Sequence, residues 1–99
     1  MMSRAQERIG RSIARAIRGI EYSTRLIDGR RVDADLTDDR LGAVPRVEVR
    51  HPNVERNGFL WLVAIVVLDP APRVTYAVPV YRAAIKRAVA RVLAVQRAA

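Results

Sequence analysis

Arginine and isoleucine recur on opposite sides of one helix in the first twenty residues, and this pattern constrains the fold most. Arg4, Arg8, Arg11, Arg15 and Arg18 follow at spacings of 4, 3, 4 and 3; Ile9, Ile13, Ile17 and Ile20 at 4, 4 and 3. At about 100° per residue the arginines fall within roughly 80° of arc, and the isoleucines lie almost diametrically opposite. Such a helix docks by its isoleucines and turns a continuous cationic stripe outward. Ser3 with Gln6 fits a capping box at its start, where hydroxyl and amide satisfy orphan backbone donors reciprocally. Gly10 weakens the middle of the helix, and Gly19 closes it.

The residues that follow alternate as strands do. Tyr22 to Leu36 carries Asp28-Gly29 at its centre, a two-residue turn signal that predicts a hairpin over residues 21–36. Arg25, Arg31, Asp33 and Asp35 interrupt its arms, so both faces are partly polar and the hairpin is expected to project from the body. Residues 37–42 are a polar loop. Val44 to Arg50 alternates, with Val47 and Val49 inward, charges outward and Pro45 near the strand start. Pro52 to Gly58 is expected to be a connection ending in the turn signal Asn57-Gly58. His51 falls at the strand end on the inward parity.

Phe59 to Leu68 is the longest apolar run, ten residues rich in β-branched and aromatic side chains and apolar on both faces. A membrane-spanning helix needs about twenty such residues, so this run predicts the central strand of a sheet, with Phe59 and Trp61 packed. Asp69-Pro70-Ala71-Pro72 stops it. A last helix is expected from Pro79, with Tyr81, Ile85, Ala88, Val89, Val92 and Leu93 on its apolar face. Arg82 and Lys86 flank that face on one side, Arg87 and Arg91 on the other.

The order predicts one α+β domain over residues 1–99: an antiparallel sheet of about four strands with N- and C-terminal helices packed on one face. Ninety-nine residues leave no room for a second core. Apolar residues make up 51% and charged ones 28%, a globular composition. No secretory signal is visible, because the N-terminal isoleucines are interleaved with arginines. The absence of cysteine removes disulfides, thiolate metal sites and cysteine nucleophiles together.

Charge is segregated. Residues 1–18 carry five basic groups and one acidic, residues 19–58 seven and eight, and residues 59–99 six and one. The surplus of +8 therefore belongs to the two predicted helices. Seventeen of the eighteen basic residues are arginine, consistent with a GC-rich genome or with bidentate contact to phosphates or carboxylates. The candidate partner-facing or phosphate-facing residues are Arg4, Arg8, Arg11, Arg15, Arg18, Arg82, Lys86, Arg87 and Arg91. The stripe is open to three readings: a solvated face, a phosphate-binding face and a subunit or partner interface. Asp33, Asp35, Asp38 and Asp39 are acidic interface candidates that could meet a basic patch on a neighbouring subunit.

Nothing points to catalysis. His51 stands alone without ligands at metal spacing, and the acidic cluster matches no calcium loop. Ser and Thr sit on no nucleophile pattern, and the five glycines are isolated, so no phosphate loop is present. The expectation is a protein without catalytic residues, metal or cofactor.

The stretch from Ile27-Asp28-Gly29-Arg30 through Ala43-Val44-Pro45-Arg46-Val47-Glu48-Val49 to Trp61-Leu62-Val63-Ala64-Ile65-Val66-Val67 resembles the tail terminator proteins of long-tailed bacteriophages. The resemblance implies a non-enzymatic virion protein that assembles as a hexameric ring at the tail end or head–tail junction beside other tail or connector proteins. It also implies residence in the virion, with a cytoplasmic stage before assembly and no membrane. The alternative from the charge pattern is a small basic nucleic-acid-binding domain contacting phosphates, DNA included, through its arginine-rich helix. A host stress or envelope-associated accessory domain of similar α+β shape also fits.

Overall fold

The computed structural model describes residues 2–28 and 44–98. Its elements are α1 (Arg4–Arg18), β1 (Ser23–Ile27), β2 (Arg46–Arg56), β3 (Phe59–Val67), β4 (Arg73–Ala77) and α2 (Pro79–Ala98). The four strands form one antiparallel sheet in the order β1-β2-β3-β4. Both helices pack on the same face, as the periodicities predict.

Local chemistry sets the helix ends. The Ser3 hydroxyl accepts from the Gln6 N–H at 3.1 Å, and the Gln6 side chain accepts from the Ser3 N–H at 2.9 Å, the full capping box. Gly19 caps the C-terminus, its N–H donating to the Arg15 carbonyl at 3.0 Å. The core lies between layers: Ile13, Ala14 and Ile17 of α1 and Ile85, Ala88 and Val89 of α2 meet Val47, Val49, Val63, Ala64 and Val66 of the sheet. Each fully buried aliphatic side chain there stabilises by about 1.5–3 kcal/mol. Gly10 is more than a weak point in the helix. A Cβ there would sit 2.7 Å from Leu26 Cδ1 and 2.8 Å from Leu68 Cδ1, so its missing side chain lets α1 approach the sheet closely.

The strands depart from the alternation-based reading in three places. Ser23–Ile27, the expected first arm of a projecting hairpin, lies in the sheet, paired with Arg46–Arg50 of β2. The Thr24 hydroxyl donates to the Ala14 carbonyl at 3.2 Å and ties this strand to α1. The Asp28-Gly29 turn, the return arm and the acidic candidates Asp33, Asp35, Asp38 and Asp39 lie outside the described residues, apart from Asp28 itself.

Secondly, the charges of Arg46 and Glu48 do not point to solvent. Arg46 and Glu48 are 0% and 1% exposed. By register Arg46 lies opposite Val67, Glu48 opposite Ile65 and Arg50 opposite Leu62, on the sheet face away from the helices. Leu62, Ile65 and Val67 are buried there as a second apolar cluster, with Val44 packed against it. A charge in such surroundings needs a partner. Arg46 Nε donates to Glu48 Oε2 at 3.0 Å, and an Arg50 Nη donates to Glu48 Oε1 at 3.2 Å. Both carboxylate oxygens are thus engaged.

Thirdly, β2 does not end at Pro52. It runs on to Arg56 and turns at Asn57-Gly58, whose φ values of 55° and 83° meet the positive-φ requirement of a two-residue type I′ turn. The pairing jumps from Arg50↔Leu62 to Glu55↔Leu60, so residues 51–54 bulge opposite Trp61 alone. The bulge accommodates Pro52, which has no ladder N–H to give. β1 covers β2 only as far as Arg50, and β4 pairs with β3 only from Ala64 onward. Among the described residues, β2 and β3 continue beyond the four-stranded body as a two-stranded ribbon.

Candidate functional site

The most distinctive surface of the protein is its helical layer. α1 and α2 together carry ten cationic side chains and one acidic one, a net of +9. The whole chain is +8, so everything outside the helices nets −1. Arg4, Arg8, Arg11, Arg15 and Arg18 are all exposed on α1, opposite the buried Ile13 and Ile17. Arg82, Lys86, Arg87, Arg91 and Arg97 are all exposed on α2. The cationic stripe is therefore where the periodicity places it.

Tertiary packing decides which cations act together. A shallow groove runs along Arg4, Glu7, Arg8, Arg11, Ser12 and Arg15. Ser12 also lines a second, apolar groove with Arg91, Val92, Val95 and Gln96, which places Arg91 beside the α1 stripe. Arg87 lies one turn before Arg91 on the same flank of α2. Arg82 and Lys86 sit on the opposite flank, where an Arg82 Nη donates to the Ala77 carbonyl at 3.2 Å. The stripe and the Arg87–Arg91 flank form one surface; Arg82 and Lys86 extend the layer rather than join that row. On the other side of α1, Arg11 and Arg18 share a groove with Arg25 of β1. Arg25 borders that groove, but its register partner is Glu48, so its side chain belongs to the sheet face away from the helices.

One contact tempers the field. Glu7 forms an exposed i,i+4 ion pair with Arg11, a type worth about 0.3–0.5 kcal/mol. The other stripe guanidiniums form no ion pair with a described residue.

A second group collects where the ribbon leaves the body. The Tyr81 ring meets Tyr22, His51 and Trp61 at centroid distances of 5.7, 6.0 and 5.9 Å. The Arg56 guanidinium lies 4.2 Å from the Trp61 ring centroid, a cation–π contact. His51, expected at a strand end, instead sits where the β2 bulge begins, and its Nδ1 accepts from the Asn53 N–H at 3.1 Å. Trp61 packs as expected. Phe59 does not: it is 53% exposed beside the turn. Among the described residues no group of three or more His, Cys, Asp or Glu side chains is placed to hold a metal ion. No described helix is long and apolar enough to cross a membrane.

Burial, and next the neighbouring Tyr81, raise the Tyr22 phenol above its ordinary value of 10.0. The folded state then holds this proton more tightly than the unfolded state does. The resulting stability is complete below about pH 10 and is lost as pH rises through the folded value. Tyr22→Phe is expected to flatten the alkaline decline of unfolding free energy above about pH 10. Denaturant titrations at a series of alkaline pH values check this; equal slopes for both proteins would contradict it.

Comparison of the chain with protein-family models, with curated proteins and with solved structures returned no match, so function is read from these surfaces alone.

Proposed function

We propose that this chain is a non-enzymatic binding protein whose helical layer holds a phosphate polyanion, with duplex nucleic acid as the partner. The observation that carries this reading is the segregation of charge by layer: +9 on two adjacent helices of a chain whose remainder is nearly neutral. Aligned guanidiniums displace condensed counterions from a phosphate backbone, which makes binding steeply dependent on salt and indifferent to sequence. Their planar forks suit phosphate oxygens.

Fluorescence anisotropy with two duplexes of unrelated sequence tests the proposal. Five to seven phosphate contacts predict equal affinity for both, with log K falling against log salt at a slope of about −4.5 to −6.3. A slope near zero, or no binding at low salt, contradicts it.

A second reading is a structural virion protein that assembles as a ring at the tail end or head–tail junction. It is supported by the α-β-β-β-β-α order and by the β2–β3 ribbon, which is free to reach a neighbouring copy. In such a ring the arginine helices would face DNA in the lumen or an acidic neighbour. Analytical ultracentrifugation at micromolar concentration separates the two readings: a strict monomer, also in the presence of tail components, removes the ring.

A further inference from the structure

The ribbon formed by residues 51–56 and 59–62 leaves the four-stranded body as two paired strands. No third strand among the described residues supports it, and four residues of β3 at about 3.3 Å each give it a reach of roughly 13 Å beyond the body. Asn57-Gly58 makes its tip narrow. Arg56 and Phe59 are cross-strand partners beside that turn and so share one face of the ribbon. The Arg56 guanidinium lies over Trp61, whose ring packs on Tyr81 of α2. That face is therefore the one directed to the helical layer.

We infer that the β2–β3 ribbon is a second contact element for the same duplex, entering the minor groove with Phe59 as an apolar wedge against a base step and Arg56 at its side. The inference rests on the polyanion-binding reading above. Three features favour this occupant. An aromatic ring 53% exposed at a tapered tip is the form of side chain that partially unstacks base steps. The adjacent Arg56 supplies the cation that a narrow, electronegative groove attracts. The ribbon root is continuous with α2 through the Trp61–Tyr81 contact, so one duplex can touch both elements. Trp61 is held between Tyr81, His51 and Arg56 and stiffens the root rather than stacking on bases.

The test uses the full chain and a duplex with 2-aminopurine at a central pyrimidine–purine step, the most easily unstacked kind. Wild-type protein is expected to raise the 2-aminopurine emission at saturation. Phe59→Ala, an exposed change that leaves the core intact, is expected to abolish the rise and weaken binding several-fold while keeping the salt slope. Phe59→Leu, which preserves a wedge, is expected to retain most of the rise. Salt-dependent binding with no change in emission, or an equal rise with wild type and Phe59→Ala, overturns the inference and leaves the helical contact standing. Absence of duplex binding overturns both.

Discussion

Replacing Glu48 by leucine is expected to destabilise the protein by about 3–5 kcal/mol, the usual consequence of removing one partner from a buried ion pair. Glu48 receives hydrogen bonds on both oxygens, from Arg46 at 3.0 Å and Arg50 at 3.2 Å. Arg46 is 0% exposed, and the variant would take from its buried guanidinium the Glu48 oxygen it donates to at 3.0 Å. Against a total stability of about 5–15 kcal/mol this is a large fraction. At roughly 4–8 °C per kcal/mol for a domain of this size, Tm should fall by about 12–40 °C. Chemical denaturation followed by circular dichroism measures it directly. Glu7→Ala supplies the contrast: the ion pair it removes is exposed, and the expected change is below about 0.5 kcal/mol. A loss below about 1 kcal/mol for Glu48→Leu would contradict the burial of the second sheet face.

That second face also marks where sequence reading stops. Alternation of Val47 and Val49 with Arg46, Glu48 and Arg50 distinguishes two faces but does not say that one is wet. The informative residues stood on the neighbouring strand. β3 is apolar toward the helices through Val63, Ala64 and Val66, and apolar away from them through Leu62, Ile65 and Val67. A strand with two apolar faces needs both covered, and the strand hydrogen-bonded to it shares that environment. Elements set by short-range chemistry were legible: the Ser3–Gln6 box, the cap at Gly19, the start of α2 at Pro79 and the central position of Phe59–Val67. Partners set by long-range pairing were not. Asp28-Gly29 and Asn57-Gly58 carry the same local turn signal. Pairing of β1 with β2 puts the arm before Asp28 in the sheet, and the β2–β3 ribbon turns at Asn57-Gly58. Pro52 suggested a strand end because it cannot donate to a ladder, yet a bulge removes the need for that donor.

The candidate surface divides in the same way. The α1 stripe follows from a 3.6-residue period and needs no tertiary information. Which flank of α2 lies beside it depends on how two helices pack, and that places Arg91 next to Ser12 while turning Arg82 and Lys86 away. The exposure of Phe59 depends on the ribbon outrunning its neighbours among the described residues. Periodicity contains none of this.

The proposed role of the helical layer is to hold a phosphate backbone through the α1 stripe. It is tested most directly by replacing Arg8, Arg11 and Arg15 together with glutamine. All three are exposed and glutamine is a good helix former, so the fold should be kept. Each lost phosphate contact removes about 0.9 from the slope of log K against log salt, so the triple variant is expected to be shallower by about 2.7. At about 0.1 M salt the same contacts correspond to a 10²–10³-fold loss of duplex affinity. Anisotropy titrations of the two proteins across a salt series give both quantities. A slope reduced by about 2.7 with the wild-type circular dichroism spectrum is the predicted result; an unchanged slope contradicts the claim.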